Sequence, residues 1–291
     1  TADIADYIRG DQSKEISNSP GTFRNRNSIV GDIVNSSPAY INETTPSATA
    51  HETVFISSND GMLHAINAAT GVERFAYVPG IINLTYLKSL AIEPYTHKFL
   101  VDGPVVVSTR KQTPGYNYLV GSLGRGGKGL FALDVTDPDN FSQSKVLWEK
   151  GGSDADMGKV ISRPIITKAN NGEQVVIVSN GLNSTNGNPV LMIYNLQTGV
   201  LIRSLTPNLT SAQTSNGLSA ATGIDNNIDG KIDYVYAGDI KGNIWKFDLS
   251  STVPSNWKVA YKDGSNIDVP IFSAKDSSDK PQPITGGIAI S

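Results

Sequence analysis

No cysteine occurs among the 291 residues, which excludes disulfides, thiolate metal sites and thiol nucleophiles while leaving the compartment open. Histidine is scarce: His51, His64 and His97 are the three, and none stands in an H-x-x-H or H-E-x-x-H spacing. Satisfied or exposed imidazoles are expected from them, not metal ligands. Charge is thin as well. Charged residues make up 18%, below the usual figure of about 25%. The 24 basic and 27 acidic side chains leave a formal net charge of −3, so there is no basic footprint for DNA or RNA. No apolar run approaches the length of about 18 residues that crosses a bilayer. Helical periodicity is nearly missing too, with short helices expected only over residues 2–9 and 82–90. No G-x-S-x-G is found, and nothing reads as a hydrolase. No charged-then-apolar leader precedes Thr1, so a signal peptide is expected outside this sequence.

What the chain has is repetition. A glycine-bearing turn followed by a β-prone run recurs four times, closing on Asn67, Asp134, Asn195 and Asp248. Before each turn lies another β-rich run: 53–56, 118–121, 175–178 and 234–237. A further strand follows each unit, at 74–77, 146–148, 200–203 and 257–261, and one opens it, at 37–41, 103–107, 163–166 and 218–221. Short β-branched and aromatic runs bounded by Gly, Pro, Asn and Asp are strand signals. Thr70-Gly71 and Thr198-Gly199 fall between third and fourth strands, where glycine supplies the positive φ of a tight turn. Four antiparallel strands per unit, repeated, predict an all-β chain built as a β-propeller; a sandwich of hairpins is the plainer alternative. Residues 283–290 read as the opening strand of a fifth unit. The expected organisation is a lead-in over 1–30 and a propeller over 31–291, about four blades plus one strand.

One motif carries specific chemistry. In Asp225-Asn226-Asn227-Ile228-Asp229-Gly230-Lys231-Ile232-Asp233, oxygen-bearing side chains stand at positions 1, 3, 5 and 9, with glycine at 6. That is EF-hand spacing, in which position 7, here Lys231, offers its backbone carbonyl. The candidate metal residues are therefore Asp225, Asn227, Asp229, Lys231 and Asp233. Hard oxygen donors in a flexible loop favour Ca²⁺ over soft metals and over Mg²⁺. Position 12, a bidentate Glu in EF-hands, is Tyr236, and a strand follows instead of a helix. An Asx-rich turn holding no ion is the bland alternative.

Other motifs are weaker. Arg9-Gly10-Asp11 spells an integrin-binding tripeptide, though Arg9 and Asp11 as ordinary polar contacts are the better account of it. Asp137 and Asp139 read as a solvated turn, and Asp154 and Asp156 as a loop with a second ion site as its alternative. The run 122–129 imitates a phosphate loop but lacks the G-x-x-x-x-G-K-[ST] spacing and precedes a strand.

The strand–DG–strand–TG rhythm resembles pyrroloquinoline-quinone-type propellers. More specifically, Arg9-Gly10-Asp11 with Glu15, Phe23-Arg24-Asn25-Arg26, the run 31–38, Asn59 to Ala65, and Asp225 to Asp233 continuing to Leu249 follow in order. Together they resemble the C-terminal domain of the PilC/PilY family of type IV pilus tip-associated adhesins. The resemblance implies a modified seven-bladed propeller of which this chain holds a part, and a Ca²⁺ site on the acidic loop. It implies no enzyme activity but a role in pilus biogenesis, in the balance of extension and retraction behind twitching motility, and in adhesion and virulence. Implied partners are pilin or minor pilins at the pilus tip and a host-cell receptor, the last through Arg9, Gly10 and Asp11. The implied place is the cell surface, at the pilus tip or outer membrane, reached through the periplasm. Two alternatives stand beside it: a quinoprotein-dehydrogenase-like propeller enzyme, which commonly carries a vicinal cysteine pair absent here, and a metal-free envelope scaffold.

Overall fold

The computed structural model describes residues 2–43, 52–209 and 215–290; His51 lies outside them. Two short helices are present, α1 (Ala2–Ile8) and α2 (Leu84–Ser89), where the apolar spacing places them. The rest of the described residues form strands, turns, short 3₁₀ helices and irregular segments.

The first sheet runs β1 (Ala39–Ile41), β2 (Thr53–Ser57), β3 (Leu63–Asn67), β4 (Glu73–Tyr77). The second runs β5 (Val105–Val107), β6 (Tyr118–Ser122), β7 (Leu130–Asp134), β8 (Val146–Lys150). The third holds β9 (Ile165–Ala169), β10 (Gln174–Ser179), β11 (Leu191–Asn195) and β12 (Leu201–Leu205). The fourth starts at β13 (Leu218–Ile224); β14 (Lys231–Ile232) then leaves it, and β15 (Tyr234–Asp239) and β16 (Asn243–Asp248) resume it. Its outer edge is β17 (Lys258–Val259) and β18 (Phe272–Ser273). Within each sheet, neighbours in sequence pair antiparallel, the order of a propeller blade. The first strands of successive sheets lie side by side: β1 by β5, β5 by β9, β9 by β13.

Alternation on the strands builds the core between the sheets. Leu119, Phe131 and Leu133 pack toward the first sheet with Phe55, Leu63 and Ala65. Their neighbours Val120, Leu130 and Ala132 face the third, against Val176, Val178 and Met192. Successive side chains on a strand point to opposite faces, so a sheet sandwiched between two others is apolar on both. That is why 130–133 and 175–178 read as unbroken apolar runs.

The closing Asn and Asp residues have a shared task. Asn67 Oδ1 accepts from the N–H groups of Ala69 (2.9 Å) and Thr70 (3.2 Å), and Asn195 Oδ1 from those of Gln197 (3.1 Å) and Thr198 (3.0 Å). The following glycines, Gly71 (φ 74°) and Gly199 (φ 66°), take the left-handed conformation. At Gly199 a Cβ would also lie 2.6 Å from the Trp148 ring, whose indole N–H donates to the Leu196 carbonyl at 2.8 Å. This turn therefore docks the third sheet on the second.

Two expectations are corrected. Residues 283–290 form no strand. Pro283 has no N–H to give, and among the described residues the segment's only hydrogen bonds are Ile284 N–H to the Asp239 carbonyl (3.0 Å) and Thr222 Oγ1 to the Ile288 carbonyl (2.7 Å). The strand expected over 257–261 is cut to Lys258–Val259; after Ala260 the chain loops away and returns as β18 on the same partner, β16.

Candidate metal centre

The acidic loop leaves β13 after Ile224 and re-enters the fourth sheet at Tyr234. Its winding is set by its own oxygens. Asp225 Oδ1 accepts from the Asp229 N–H at 3.1 Å and Oδ2 from the Gly230 N–H at 2.7 Å. Asn227 Oδ1 also accepts from Asp229 N–H, at 3.0 Å. Asp229 Oδ1 takes the Lys231 N–H at 2.9 Å. Two residues adopt positive φ to make this possible, Gly230 (83°) and Ile228 (62°). For a β-branched side chain that conformation is an outlier costing roughly 1–2 kcal/mol. Ile228 is also 90% exposed, so no packing of its own side chain offsets the strain. The strained conformation is held by the carboxylates around it.

Asp233 differs from the others. It is 5% exposed, and both of its oxygens are engaged: Oδ2 by the Asn226 N–H (2.9 Å), Oδ1 by the side-chain amide of Asn170 (3.1 Å). The structure thus brings Asp225, Asn227 and Asp229 into one winding and fixes Asp233 at its base. Among the described residues no three acidic or imidazole side chains are gathered closely enough to hold a metal. Instead Lys231 Nζ sits 2.8 Å from Asp229 Oδ2. The ammonium beside it holds the Asp229 carboxyl below the ordinary range, and the Lys231 ammonium is pushed up in return, first by Asp229 and then by Asp233 and Asp225. A cation thus already sits on the Asp229 carboxylate of the loop. The oxygen donors, their spare lone pairs and this internal stand-in all fit a hard cation. Tyr236, at the twelfth position, lies on β15 with the Lys246 ammonium 5.8 Å above its ring and offers no carboxylate.

The remaining candidates are placed as follows. Arg9 and Asp11 are exposed at the end of α1, with Gly10 between them at φ 108°. Arg9 lies 3.7 Å from Asp6, Asp11 Oδ1 caps the Ser13 N–H at 2.8 Å, and Arg26 Nη2 donates to the Asp11 carbonyl at 3.0 Å. His64 is buried between Asp60 and Glu73, and His97 is exposed against Asp32. Asp154 and Asp156 serve a loop: Asp154 Oδ1 accepts the Asp156 N–H at 2.9 Å, and Asp156 Oδ1 accepts from Asn186 at 2.7 Å. Asp137 and Asp139 flank and enter a 3₁₀ turn, and Gly124–Gly126 forms another ahead of β7. No helix among the described residues is long and apolar enough to cross a membrane.

One residue at the site is invisible to motif reading. Asn170 belongs to the β9–β10 turn of the third sheet, and its only sequence signal, Asn-Asn-Gly, denotes a turn.

Comparison with known proteins gives a consistent answer. A family model described as the PilY1 beta-propeller domain matches residues 27–291. The chain is 38% identical to the type IV pilus biogenesis factor PilY1 homolog of Xylella fastidiosa, over 99% of this chain and 22% of that protein. It is 36% identical to PilY1 of Pseudomonas aeruginosa, over 98% of this chain and 27% of that protein. The chain thus spans about a quarter of the length of these curated relatives. The crystal structure of the P. aeruginosa PilY1 C-terminal domain superposes with a TM-score of 0.67 at 36% identity, covering 81% of this chain and 49% of that one. With four repeated antiparallel sheets in propeller order and a family match over nearly all its length, this chain belongs to the PilY1 β-propeller domain family.

Proposed function

We propose that this chain is the calcium-binding propeller of a type IV pilus biogenesis factor and that the 225–233 loop makes its surface responsive to calcium. The observation that carries this is the loop itself, with oxygens in EF-hand order and the Lys231 ammonium paired with the Asp229 carboxylate. The relatives are named as pilus biogenesis factors, which supports a binding role at the pilus over an enzymatic one. Bound calcium would supply the positive charge that neutralises the loop carboxylates. Asp225, Asn227 and Asp229 would turn their spare lone pairs inward with the Lys231 carbonyl, and Asp233 would close the base directly or through water. Lys231 Nζ would leave Asp229 and swing to solvent. A partner that contacts only the filled loop, such as a pilin or minor pilin at the pilus tip, then meets a two-state surface. A host receptor meeting Arg9, Gly10 and Asp11 is part of the same proposal.

Calorimetry on chelator-stripped protein tests it. One calcium site is expected with a dissociation constant of order 10⁻⁶ to 10⁻⁴ M, weakened at least about tenfold in Asp225→Ala, which removes a ligand and the clamp on Gly230. A flat titration in the folded wild type defeats the reading. Lys231→Met keeps the backbone carbonyl and removes the competing ammonium. It should bind calcium about two- to fivefold more tightly, the equivalent of one exposed ion pair, in the same titration.

A further inference from the structure

The acidic loop belongs to the fourth sheet in sequence but is braced by the third. Lys231 and Ile232 pair in parallel with Lys168 and Ala169, so β14 is a fifth strand of the third sheet. Ile232 is buried in the apolar core shared by these two sheets, which also contains Ala169. It packs so close to Gly223 that a Cβ there would lie 2.2 Å from its Cδ1. One side chain completes the brace. The Asn170 amide nitrogen lies 2.9 Å from the Ile232 carbonyl, 3.1 Å from Asp233 Oδ1 and 3.1 Å from the Leu249 carbonyl. An amide has two N–H groups, so one is shared among these three acceptors. All three acceptors lie in the fourth sheet's part of the chain, and two belong to the loop's last two residues.

We infer that Asn170 is a positioning residue of the metal loop, and that the Asn170 and β9–β14 contacts latch the third sheet to the fourth in a calcium-dependent way. The inference rests on the calcium reading above for its calcium dependence alone; the latch stands on the geometry. The physical need is plain. An EF-hand fixes the far side of its loop with a bidentate carboxylate at position 12 from the following helix, and here that position is Tyr236. Asp233 is the last acidic residue of the loop, and its carboxylate orientation is set by Asn226 within the loop and Asn170 across the seam. The Lys231 carbonyl belongs to the strand registered on β9. Two of the five candidate ligands are therefore placed by a neighbouring sheet. Ordering of the loop must in turn be felt by residues 165–170.

The test compares the full chain with Asn170→Ala, the milder Asn170→Ser, whose hydroxyl is too short to reach Asp233, and the control Asn171→Ala. Asn171 sits in the same turn, but among the described residues its side chain bonds only to Glu173. Outer-shell partners of metal ligands typically carry about 10- to 100-fold in affinity. Calorimetry should show calcium bound about tenfold more weakly by both Asn170 variants and unchanged by Asn171→Ala. Hydrogen exchange supplies the second readout. In wild type, calcium should slow exchange at 165–170 as well as at 225–233; in the Asn170 variants the slowing should be confined to 225–233. Without calcium, exchange at 231–233 should be at least about tenfold faster in the Asn170 variants than in Asn171→Ala, through loss of the amide's bonds. Equal affinities, or calcium protection that never reaches 165–170 in a wild type that binds, overturn the calcium-dependent latch. Equal calcium-free exchange overturns the brace even if the wild type binds no calcium, so failure of the calcium reading is told apart from failure of the latch.

Discussion

Asp239→Ala should lower the free energy of unfolding by about 3–5 kcal/mol, read by urea denaturation, because it strips the acceptor from a group of donors inside the fourth sheet. Asp239 ends β15 and is wholly buried. Its Oδ1 accepts from the N–H groups of Lys241 and Asn243, both at 2.9 Å. Its Oδ2 accepts from the Trp245 indole N–H (2.9 Å), the Asn243 amide (3.0 Å) and the Asn216 amide (3.1 Å). The partners are neutral N–H groups, so the cost of burying the carboxylate is offset by donor number and not by a counter-ion. Trp245 is itself 1% exposed, and without Asp239 its indole N–H would stay in the core unpaired. Asp239→Asn retains one oxygen but turns an NH₂ toward donors, so a smaller loss of about 1–3 kcal/mol is expected. A loss below about 1 kcal/mol in Asp239→Ala would mean that water replaces the carboxylate, and that the turn is not organised around it.

The same turn explains why the repeats were legible in the sequence. Asp60, Asn180 and Asp239 each stand at the second-to-third strand turn of their sheets and satisfy N–H groups that no strand ladder reaches: Met62 at 3.0 Å, Val190 at 3.1 Å and Lys241 at 2.9 Å. A residue that must be Asp or Asn for a local bonding reason recurs visibly in sequence. So do the closing residues Asn67 and Asn195 with their glycines. All sixteen strands read from these marks are present; β1, β5 and β9 each start two residues later than expected, and the last one is shortened. What escaped detection depends on partners distant in sequence. β14 is two residues long and exists because β9, over 60 residues earlier, has a free edge beside it. β18 exists because β17 leaves half of β16 unpaired. Residues 283–290 show the converse. Their composition is strand-like, but a strand is a ladder, and the described residues give this segment only two hydrogen bonds. In the acidic loop the spacing was readable because its bonds are local, Asp225 to Gly230 and Asp229 to Lys231. The stand-in role of the Lys231 ammonium and the bracing by Asn170 were not readable, since each depends on where a side chain points.

Stability should also fall on the alkaline side of neutrality, through His64. Its side chain is 4% exposed, with Nε2 3.0 Å from Asp60 Oδ2 and Nδ1 2.6 Å from Glu73 Oε2. Burial alone would pull the imidazolium down, but Asp60 and then Glu73 outweigh it and raise the pKa from 6.5 to about 9. Arg9, from the end of α1, lines the same cavity as His64 and Glu73. The folded state thus keeps its proton where the unfolded chain has lost it. The stabilisation is complete below about pH 6.5 and is lost progressively as the pH rises through about 9. A shift of this size is worth about 3 kcal/mol. Because Glu73 is 48% exposed and solvent screens its share, about 2–3 kcal/mol is expected. The loss reaches beyond one side chain. Asp60 Oδ2 also accepts the Gly31 N–H at 2.8 Å, so the imidazolium helps hold the carboxylate that ties residues 29–34 to the first sheet. Denaturant unfolding between pH 6 and pH 10 should therefore show wild type losing about 2–3 kcal/mol relative to His64→Gln, whose neutral amide has no proton to lose. Parallel curves for the two proteins would show that His64 is neutral in the folded state, and that the Asp60–His64–Glu73 contacts are ordinary hydrogen bonds.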